Sequence, residues 1–363
     1  MAPPPCFFTI GIVSILLAVT KAKETVPIFV FGDSLADNGN NNNLNVPLID
    51  KSNFPYNGID FPGGDATGRF SNGFNSADFI AQLLGFSIGP PSYASITKPC
   101  QMLNGVNFAS GGSGIQDYTG PGTINMATQI KYFQNVTQVL QQNLGRNQAK
   151  RKIAASLFVI VTANNDMFEY FYATGAANST INEQFINNLV DRFIQHLTSL
   201  YNSGARKFYI AGTAQVGCVP FLTSRNPAGT CIDIMNQLSM QYNTIALLRV
   251  KQLSSQLRGM RYSYSNVYRM ASDIRENPNS FGITDLQSAC CGGGKFNGEV
   301  QCTVNATFCA NRDNHFFWDW FHPTQAVSRI ISRLAFYGSP IYATPINIKK
   351  LVWGSQYIES YLN

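Results

Sequence analysis

The sequence is poor in charged residues. Asp, Glu, Lys and Arg make up 13% of its 363 residues, whereas hydrophobic residues make up 45%. So little charge and so much apolar surface argue against disorder and for a globular chain with a buried core. The formal net charge is +6, but no block of five or six basic residues occurs, which gives nucleic-acid binding little support. Mild basicity favours contact with a negatively charged cell wall or membrane surface.

Several motifs with known chemistry are also missing. No Cys-x-x-Cys pair occurs, so the spacing typical of zinc sites is absent. The glycine-rich segment 105–114 lacks the Gly-Lys-Ser/Thr ending of a phosphate-binding loop. Beyond residue 22, no segment is long and apolar enough to suggest a transmembrane helix. The sequence therefore implies no metal and no organic cofactor.

Residues 1–22 have the pattern of a cleaved signal peptide. An uncharged apolar run extends from Cys6 to Val19, and it is shorter than the ~20 residues of a spanning helix. A small residue, Ala22, follows at a suitable cleavage position. A retained N-terminal anchor is the alternative. We expect a secreted protein in which residues 23–363 form a single domain, because no repeat or composition break marks a linker.

Cysteine usage agrees with export. Cys6 lies in the predicted signal peptide, and the mature chain retains Cys100, Cys218, Cys231, Cys290, Cys291, Cys302 and Cys309. Disulfides in an oxidising compartment are favoured over a zinc site, because the adjacent Cys290 and Cys291 are poorly spaced as metal ligands. The odd number leaves at least one thiol free or paired outside the chain. N-glycosylation is predicted at the Asn-x-Ser/Thr sequons of Asn135, Asn178 and Asn305.

Short apolar runs alternate along the chain with segments of helical periodicity. The runs predict strands over residues 27–31, 106–109, 157–161 and 207–211. Helices are predicted over residues 76–84, with Ser76 as N-cap, and over 126–144, 181–201, 232–257 and 323–337. This alternation is typical of an α/β fold with a parallel sheet between helices. Ligands bind at the carboxyl ends of such strands. Three of the strands lead into Ser34, Gly112 and Asn165.

Ser34 is the candidate nucleophile, because it lies in a turn directly after a buried apolar strand. A serine hydroxyl needs a base within hydrogen-bond reach and a third group that orients the base. The candidate bases are His196, His315 and His322. His322 is favoured, since Asp319 lies three residues earlier and can hold the imidazole. His196 lies within a predicted helix, and His315 fits either a structural or a catalytic role.

Ester chemistry also needs hydrogen-bond donors for the oxyanion that forms during attack. A serine in a turn offers its own backbone N–H. Gly112 can offer another, since glycine lets the backbone approach a substrate closely. Asn165 can offer a side-chain amide. Each signal is weak by itself, because glycine-rich loops and Asn-rich turns are common.

Taken in order, these segments resemble the plant form of the GDSL esterase/lipase family, a branch of the SGNH hydrolases. Residues 31–41, Phe-Gly-Asp-Ser-Leu-Ala-Asp-Asn-Gly-Asn-Asn, are similar to the first sequence block of the family. Residues 105–115 are similar to its second block, residues 164–166 to its third and residues 319–323 to its last. The resemblance covers nearly all of the mature chain, and four blocks in this order are far more specific than any one of them.

The resemblance implies a flavodoxin-like, three-layer α/β/α sandwich with a mostly parallel central sheet. It also implies a catalytic triad of Ser34, His322 and Asp319. The oxyanion would be held by the Ser34 N–H, the Gly112 N–H and the Asn165 side chain.

Two positions in these blocks leave open questions. Gly112 is preferred to Gly111 as the backbone donor, because Asn107 aligns with the start of the second block. Ala163 departs from the family, whose third block usually has glycine at this position. Its methyl group would crowd the loop, so we expect altered rather than abolished activity.

The expected function is hydrolysis of small-molecule or lipid carboxylic esters through an acyl-enzyme on Ser34. An acyltransferase that passes the acyl group to a hydroxyl compound would use the same residues. A non-catalytic secreted binding protein is the third hypothesis, and it is disfavoured because every catalytic position is filled. Residues 167–172 either line an acyl channel or belong to the core, and loops 38–45 and 54–73 are candidates for the rim of the site.

Overall fold

The strands form a central sheet and two small additional sheets. The computed structural model describes residues 25–354, so the predicted signal peptide over residues 1–22 lies outside the described residues. In chain order the strands are β1 (Ile28–Gly32), β2 (Gly105–Asn107), β3 (Leu157–Val161), β4 (Lys207–Ala211), β5 (Arg261–Ser265), β6 (Asp285–Ala289), β7 (Cys291–Gly292), β8 (Thr307–Phe308), β9 (His315–Phe317) and β10 (Ala343–Thr344).

The central sheet has the strand order β2-β1-β3-β4-β5-β10. All neighbouring strands run parallel except β10, which pairs antiparallel with β5. Apart from β10, this is the strand order of flavodoxin-like folds, and the predicted α/β architecture is confirmed. The winding direction reverses between β1 and β3, which opens a crevice at the carboxyl ends of these strands.

Helices cover both faces of this sheet. In chain order they are α1 (Ser76–Leu83), α2 (Met126–Leu144), α3 (Arg146–Ala155), α4 (Asn164–Thr174), α5 (Ser179–Asn202), α6 (Pro220–Arg225), α7 (Asp233–Gln256), α8 (Val267–Glu276), α9 (Pro278–Phe281), α10 (Gln325–Tyr337) and α11 (Ile348–Trp353). Phe29 and Phe31 of β1 join a core shared with α2, α5 and α7, whereas Ile28 and Val30 join one shared with α1, α10 and α11. Burial on both faces explains why this strand is a continuous apolar run in the sequence.

The structure confirms the bounds of three predicted elements but not the predicted N-cap of the first helix. The predicted helix 126–144 and the predicted strands 157–161 and 207–211 are confirmed to the residue. Ser76 as N-cap is wrong, because Asn75 caps α1. The Asn75 side chain accepts from the backbone N–H of Asp78, and the Asp78 carboxylate accepts from the backbone N–H of Asn75. Such a reciprocal capping box satisfies two helix-end donors, which Ser76 one residue later cannot do.

The helix predicted to begin at Pro323 begins instead at Gln325. Thr324 is the N-cap, and its hydroxyl accepts from the backbone N–H of Val327. Pro323 lies outside the helix, where its backbone forms an isolated bridge with Phe317. The prediction failed because this tertiary pairing uses the residue that local sequence statistics place at the start of a helix.

Residues 285–324 form a disulfide-linked segment, which we call the disulfide segment. Within it β6 pairs with β9 and β7 pairs with β8. Disulfides join Cys290 to Cys309 and Cys291 to Cys302 there, and a third joins Cys218 to Cys231. The predicted disulfides are thus confirmed, and within residues 25–354 Cys100 is the one free thiol. Across residues 25–354, no helix combines the length and apolar character needed to cross a bilayer.

Candidate active site

Ser34 lies in a tight turn at the carboxyl end of β1. The preceding Gly32 has a φ of +139°. A Cβ there would collide with the carbonyl of Val161 on β3, so only glycine fits. The Gln129 amide on α2 forms two hydrogen bonds with the same glycine. It accepts from the Gly32 N–H at 2.8 Å and donates to the Gly32 carbonyl at 2.9 Å. The backbone that presents Ser34 is therefore held from two sides.

Ser34, His322 and Asp319 form a continuous chain of hydrogen bonds. The Ser34 hydroxyl donates to His322 Nε2 at 2.8 Å, and His322 Nδ1 donates to the Asp319 carboxylate oxygens at 2.8 and 2.9 Å. A carboxylate only accepts, so it keeps the proton on Nδ1 and leaves Nε2 free to accept from Ser34. All three residues are buried. The structure thus brings these three sequence-predicted residues together, in the geometry of a nucleophile, a base and an orienting group.

A short turn presents Asp319 and His322 on the same side. Asp319 Oδ1 accepts from the backbone N–H groups of Phe321 and His322, at 2.9 and 2.8 Å. The backbone N–H of Trp318 donates to the carbonyl of His322 at 2.7 Å and closes the turn. The Phe70 ring packs on the imidazole, with centroids 4.9 Å apart. The carboxylate therefore orients the backbone of the turn as well as the imidazole.

Gly112 and Asn165 flank Ser34, because they follow the strands on either side of β1. The Asn165 amide donates one hydrogen to a backbone carbonyl at 2.9 Å, which leaves its second N–H free. The Gly111 N–H donates to the Asp37 carboxylate at 3.0 Å. Within residues 25–354, the backbone N–H groups of Gly112 and Ser34 have no partner. Gly112, and not Gly111, therefore has a donor available to a ligand.

Two buried carboxylates that sequence reasoning did not single out hold these turns. Asp166 accepts from two backbone N–H groups and a threonine hydroxyl of the loop 115–119, at 2.8 to 2.9 Å. Asp33 accepts from the Leu35 N–H and the Asn164 amide. Burial raises the pKa of Asp33 to about 6, against the opposing effect of these hydrogen bonds. Burial likewise raises the pKa of Asp166. In the sequence, only their positions next to Ser34 and Asn165 could have indicated that these two aspartates matter.

The other two histidines have structural partners elsewhere. His196 is buried on α5, with Nε2 at 3.0 Å from the carbonyl of Ile115, and burial lowers its pKa. His315 Nδ1 lies 2.9 Å from the carbonyl of Asn311. Of the three histidines, all within the described residues, only His322 lines the cavity that contains Ser34. His322 is therefore the histidine placed to act on Ser34.

A cavity of about 690 Å³ contains Ser34, Gly112, Asn165 and His322 in its wall. Most of the remaining wall is apolar or aromatic. Phe70, from the loop 54–73, contributes to it, whereas the described lining includes no residue of loop 38–45. The Asn-rich loop instead binds backbone carbonyls of its neighbours through its amide side chains. An apolar cavity with a few convergent polar groups is typical of a site that binds a small molecule.

The aromatic segment 167–172 divides between the two roles considered for it. Phe168 and Tyr172 line the cavity. Met167 is fully buried in the core. Tyr170 stacks on Phe185, with ring centroids 4.0 Å apart. Helical geometry explains the division, since residues three or four apart on α4 share a face, and Glu169 lines the cavity together with Phe168 and Tyr172.

Ala163 adopts a left-handed backbone conformation, which favours glycine. Its φ is +90° and its ψ is −16°, and its side chain is fully buried. The left-handed region costs an alanine roughly 1–2 kcal/mol, because Cβ approaches the following carbonyl. The methyl group therefore strains the backbone at the start of α4, directly before Asn164 and Asn165.

The sequence matches the model of the GDSL-like lipase/acylhydrolase family over residues 28–335. The chain belongs to this family. The GDSL esterase/lipase At1g71691 of Arabidopsis thaliana is 40% identical over 96% of this chain and 89% of the relative. At5g08460 of the same species is 37% identical over 94% and 92% of the two chains, and At5g55050 is 36% identical over 93% of each. The predicted membership in the GDSL family, and with it the class of carboxylic-ester hydrolases, is confirmed.

Proposed function

We propose that this GDSL hydrolase is a serine esterase/lipase whose nucleophile is Ser34. The observation that carries the proposal is the chain of hydrogen bonds from Asp319 through His322 to Ser34 within an apolar cavity. Each member has the neighbour that its role requires: the hydroxyl has a base, and the base has a carboxylate.

The reaction runs in two halves. Ser34 Oγ bonds to the acyl carbon while His322 Nε2 takes the hydroxyl proton, and Asp319 stabilises the imidazolium that results. The tetrahedral intermediate collapses, the bond to the alcohol breaks, and the imidazolium protonates the departing oxygen. Water then enters, loses a proton to His322 and displaces the acyl group from Ser34. The products are a free acid, an alcohol and the regenerated hydroxyl.

The oxyanion of each tetrahedral intermediate would lie among the Ser34 N–H, the Gly112 N–H and the free Asn165 N–H. Two of these donors are backbone groups held by the sheet and its loops, so they need no reorientation as charge develops. The Asp37 carboxylate supports this assignment, because it occupies the Gly111 N–H and leaves Gly112 to the substrate.

The decisive experiment is Ser34→Ala, assayed with a short-chain p-nitrophenyl ester. We expect kcat/KM to fall by a factor on the order of 10⁴ or more, because no other nucleophile replaces the hydroxyl. Ser255→Ala, at an exposed position of α7, is the matched control and should keep full activity. Circular dichroism confirms folding of both variants. A folded Ser34→Ala protein with undiminished activity would refute the assignment, and transfer of the acyl group to an added alcohol in preference to water would refute hydrolysis.

We further propose that the protein is secreted and N-glycosylated. Three disulfides support passage through an oxidising compartment. The sequon residues Asn135, Asn178 and Asn305 are all exposed, although Asn135 lies within α2. Expression in eukaryotic cells should deliver protein to the medium, with a mass that falls on treatment with an N-glycosidase. Retention in the cytosol, or a mass equal to that of the bare chain, would contradict the proposal.

A further inference from the structure

The cavity around Ser34 extends across the carboxyl edge of the sheet. Ser34 follows β1, Val161 ends β3, Ala211 ends β4, and α8, which follows β5, supplies Arg275. Adjacent strands lie ~4.8 Å apart, so β1 and β5 are separated by roughly 14 Å. Arg275 is thus supplied by the helix after β5, whereas the proposed oxyanion donor Gly112 follows β2 on the other side of β1.

Arg275 is a cation without an anionic partner. Its one hydrogen bond within residues 25–354 runs from Nη1 to the carbonyl of Leu286 at 3.1 Å, and its Nε is buried without a partner. None of the ion pairs in that range includes it. The guanidinium lies over the rings of Phe316 and Phe317, 4.9 and 5.7 Å from their centroids. Burial lowers the pKa of Arg275 to about 10, so it remains charged at neutral pH.

Gln215 adds a second unpartnered polar atom to the same wall. Its Nε2 donates to the hydroxyl of Ser272 at 3.1 Å, and its Oε1 is buried without a partner. Ser272 and Arg275 are three residues apart on α8, so their side chains lie on one side of that helix. Rotation of the Gln215 amide would turn its N–H groups towards a bound oxygen atom.

The wall between Ser34 and Arg275 is apolar. Val267 and Ala271 lie two turns and one turn before Arg275 on the same face of α8, and Val161 and Ala211 close the cavity from the sheet. A hydrocarbon chain suits this middle section. Arg275 is partly buried and its Nε is wholly buried, and such a cation is costly unless an anion or a polar group joins it. The planar fork of an arginine matches the two oxygens of a carboxylate.

We propose that Arg275, assisted by Gln215, binds the terminal carboxylate of an acyl chain whose other end is esterified. The substrate class is then monoesters of dicarboxylic acids with a chain long enough to reach from Ser34 to α8. This inference rests on the proposed function of Ser34. An acyl chain of the same length that ends in a methyl group would cover the guanidinium with hydrocarbon and leave its charge unpaired.

The test compares p-nitrophenyl esters in pairs of equal acyl length, one ending in a carboxylate and one in a methyl group. We expect the ratio of kcat/KM within a pair to favour the carboxylate only above a threshold length, by roughly tenfold or more. Arg275→Met should abolish the preference and Arg275→Lys should retain part of it. Arg269→Met is the matched control, because Arg269 lies on the same helix but is exposed and paired with Asp273. It should leave the ratio unchanged.

Binding separates this inference from the assignment of Ser34. Folded Ser34→Ala protein should bind a long dicarboxylate monoester more tightly than its methyl-ended counterpart, as measured by calorimetry without any turnover. Adding Arg275→Met to this variant should remove the difference in affinity. Three results would overturn the inference: a kcat/KM ratio of one within every pair, a preference for the carboxylate that does not depend on chain length, or a preference for the carboxylate that survives Arg275→Met. So would a preference seen only when the carboxylate is on the alcohol part of the ester. Activity in Ser34→Ala would instead overturn the proposed function.

Discussion

The proposed nucleophile, Ser34, and the proposed base, His322, are positioned by different means. Ser34 follows a strand in the middle of the sheet, and hydrogen bonds help to hold its turn. The Gln129 amide bonds both backbone groups of Gly32, and the backbone N–H of Asp33 donates to the carbonyl of Val161 at 2.9 Å. His322 lies in the disulfide segment, outside the central sheet. The two halves of the proposed triad thus meet where the edge of the sheet contacts a disulfide-linked loop.

Backbone hydrogen bonds connect the base to the disulfides. The N–H groups of Cys290 and Cys291 donate to the carbonyls of Phe317 and Trp318, at 2.9 and 2.7 Å. Both cysteines are cross-linked within the same segment. A loop with little regular structure is thereby restrained just before Asp319. We therefore expect mutations near Ser34 to change the stability of the sheet, and mutations near His322 to change how firmly the disulfide segment holds the imidazole.

The largest effect is expected for Gly32→Ala. The added Cβ would overlap the carbonyl of Val161 in the next strand, so we expect loss of folding or a fall of more than ~3 kcal/mol in the free energy of unfolding. Gly85→Ala is the control, because Gly85 also has a positive φ but nothing lies within 4 Å of the position that a Cβ would occupy there. It should cost only ~1 kcal/mol. Guanidinium unfolding measures both, and equal costs would show that crowding at β3 is unimportant.

Removal of the Cys290–Cys309 disulfide by double substitution with serine should come next. A disulfide contributes about 2–4 kcal/mol to stability. Because small displacements of a catalytic group are costly, we also expect kcat of the folded protein to fall by about 10- to 100-fold. Cys100→Ser, which removes the free thiol, should change neither quantity. A variant that is less stable but retains full kcat would mean that the disulfide segment holds the base without this cross-link.

The two regions should also differ in their response to pH. Burial raises the pKa of Asp33 and of Asp37 from 3.8 to about 6. The folded state then binds more protons than the unfolded state, so these groups lower the free energy of unfolding as pH rises from 4 to 6. Asp60 has the opposite sign: partial burial raises its pKa, but hydrogen bonds from Arg312 and Asn72 outweigh this and lower it. Its contribution is lost as pH falls below about 4.

Unfolding measured across this pH range separates the two effects. Arg312→Met should remove the loss of stability at low pH, because the ion pair between Arg312 and Asp60 no longer forms. The slope between pH 4 and 6 should persist in this variant, since it arises on the nucleophile side. Loss of both slopes together would show that the two regions unfold as one electrostatic unit.

The smallest expected effect is a gain from Ala163→Gly. Relief of the positive φ should raise the free energy of unfolding by about 1 kcal/mol, less the greater freedom of glycine in the unfolded chain. Ala81→Gly, at a buried position with ordinary helical geometry in α1, should lower it by ~0.5–1 kcal/mol. Thermal unfolding compares the two. A destabilised Ala163→Gly protein would mean that packing of the buried methyl group outweighs backbone strain.

Local sequence patterns predicted an element correctly where the residues of that element are themselves mostly apolar. The strand 157–161 is apolar and buried throughout, the strand 207–211 is apolar after Lys207, and both were found to the residue. The strand β5, Arg-Tyr-Ser-Tyr-Ser, was missed because its alternating polar side chains do not form an apolar run, although its last four residues are buried. Pro323 was misplaced because its backbone pairs with Phe317, a bridge that helical periodicity and the preference of proline for helix starts do not reveal.

The sequence by itself determined which chemical groups this protein has and in what order: a serine after a buried strand, a glycine-rich turn, an amide-bearing turn and an aspartate three residues before a histidine. Tertiary structure alone decided which of them lie within hydrogen-bond reach of one another. It joined Ser34 to His322 across 288 positions of the chain and occupied the Gly111 N–H while leaving that of Gly112 free. It also placed an unpaired Arg275 in the wall of the same cavity. These outcomes depend on distances between elements remote in sequence, which packing of the whole chain determines.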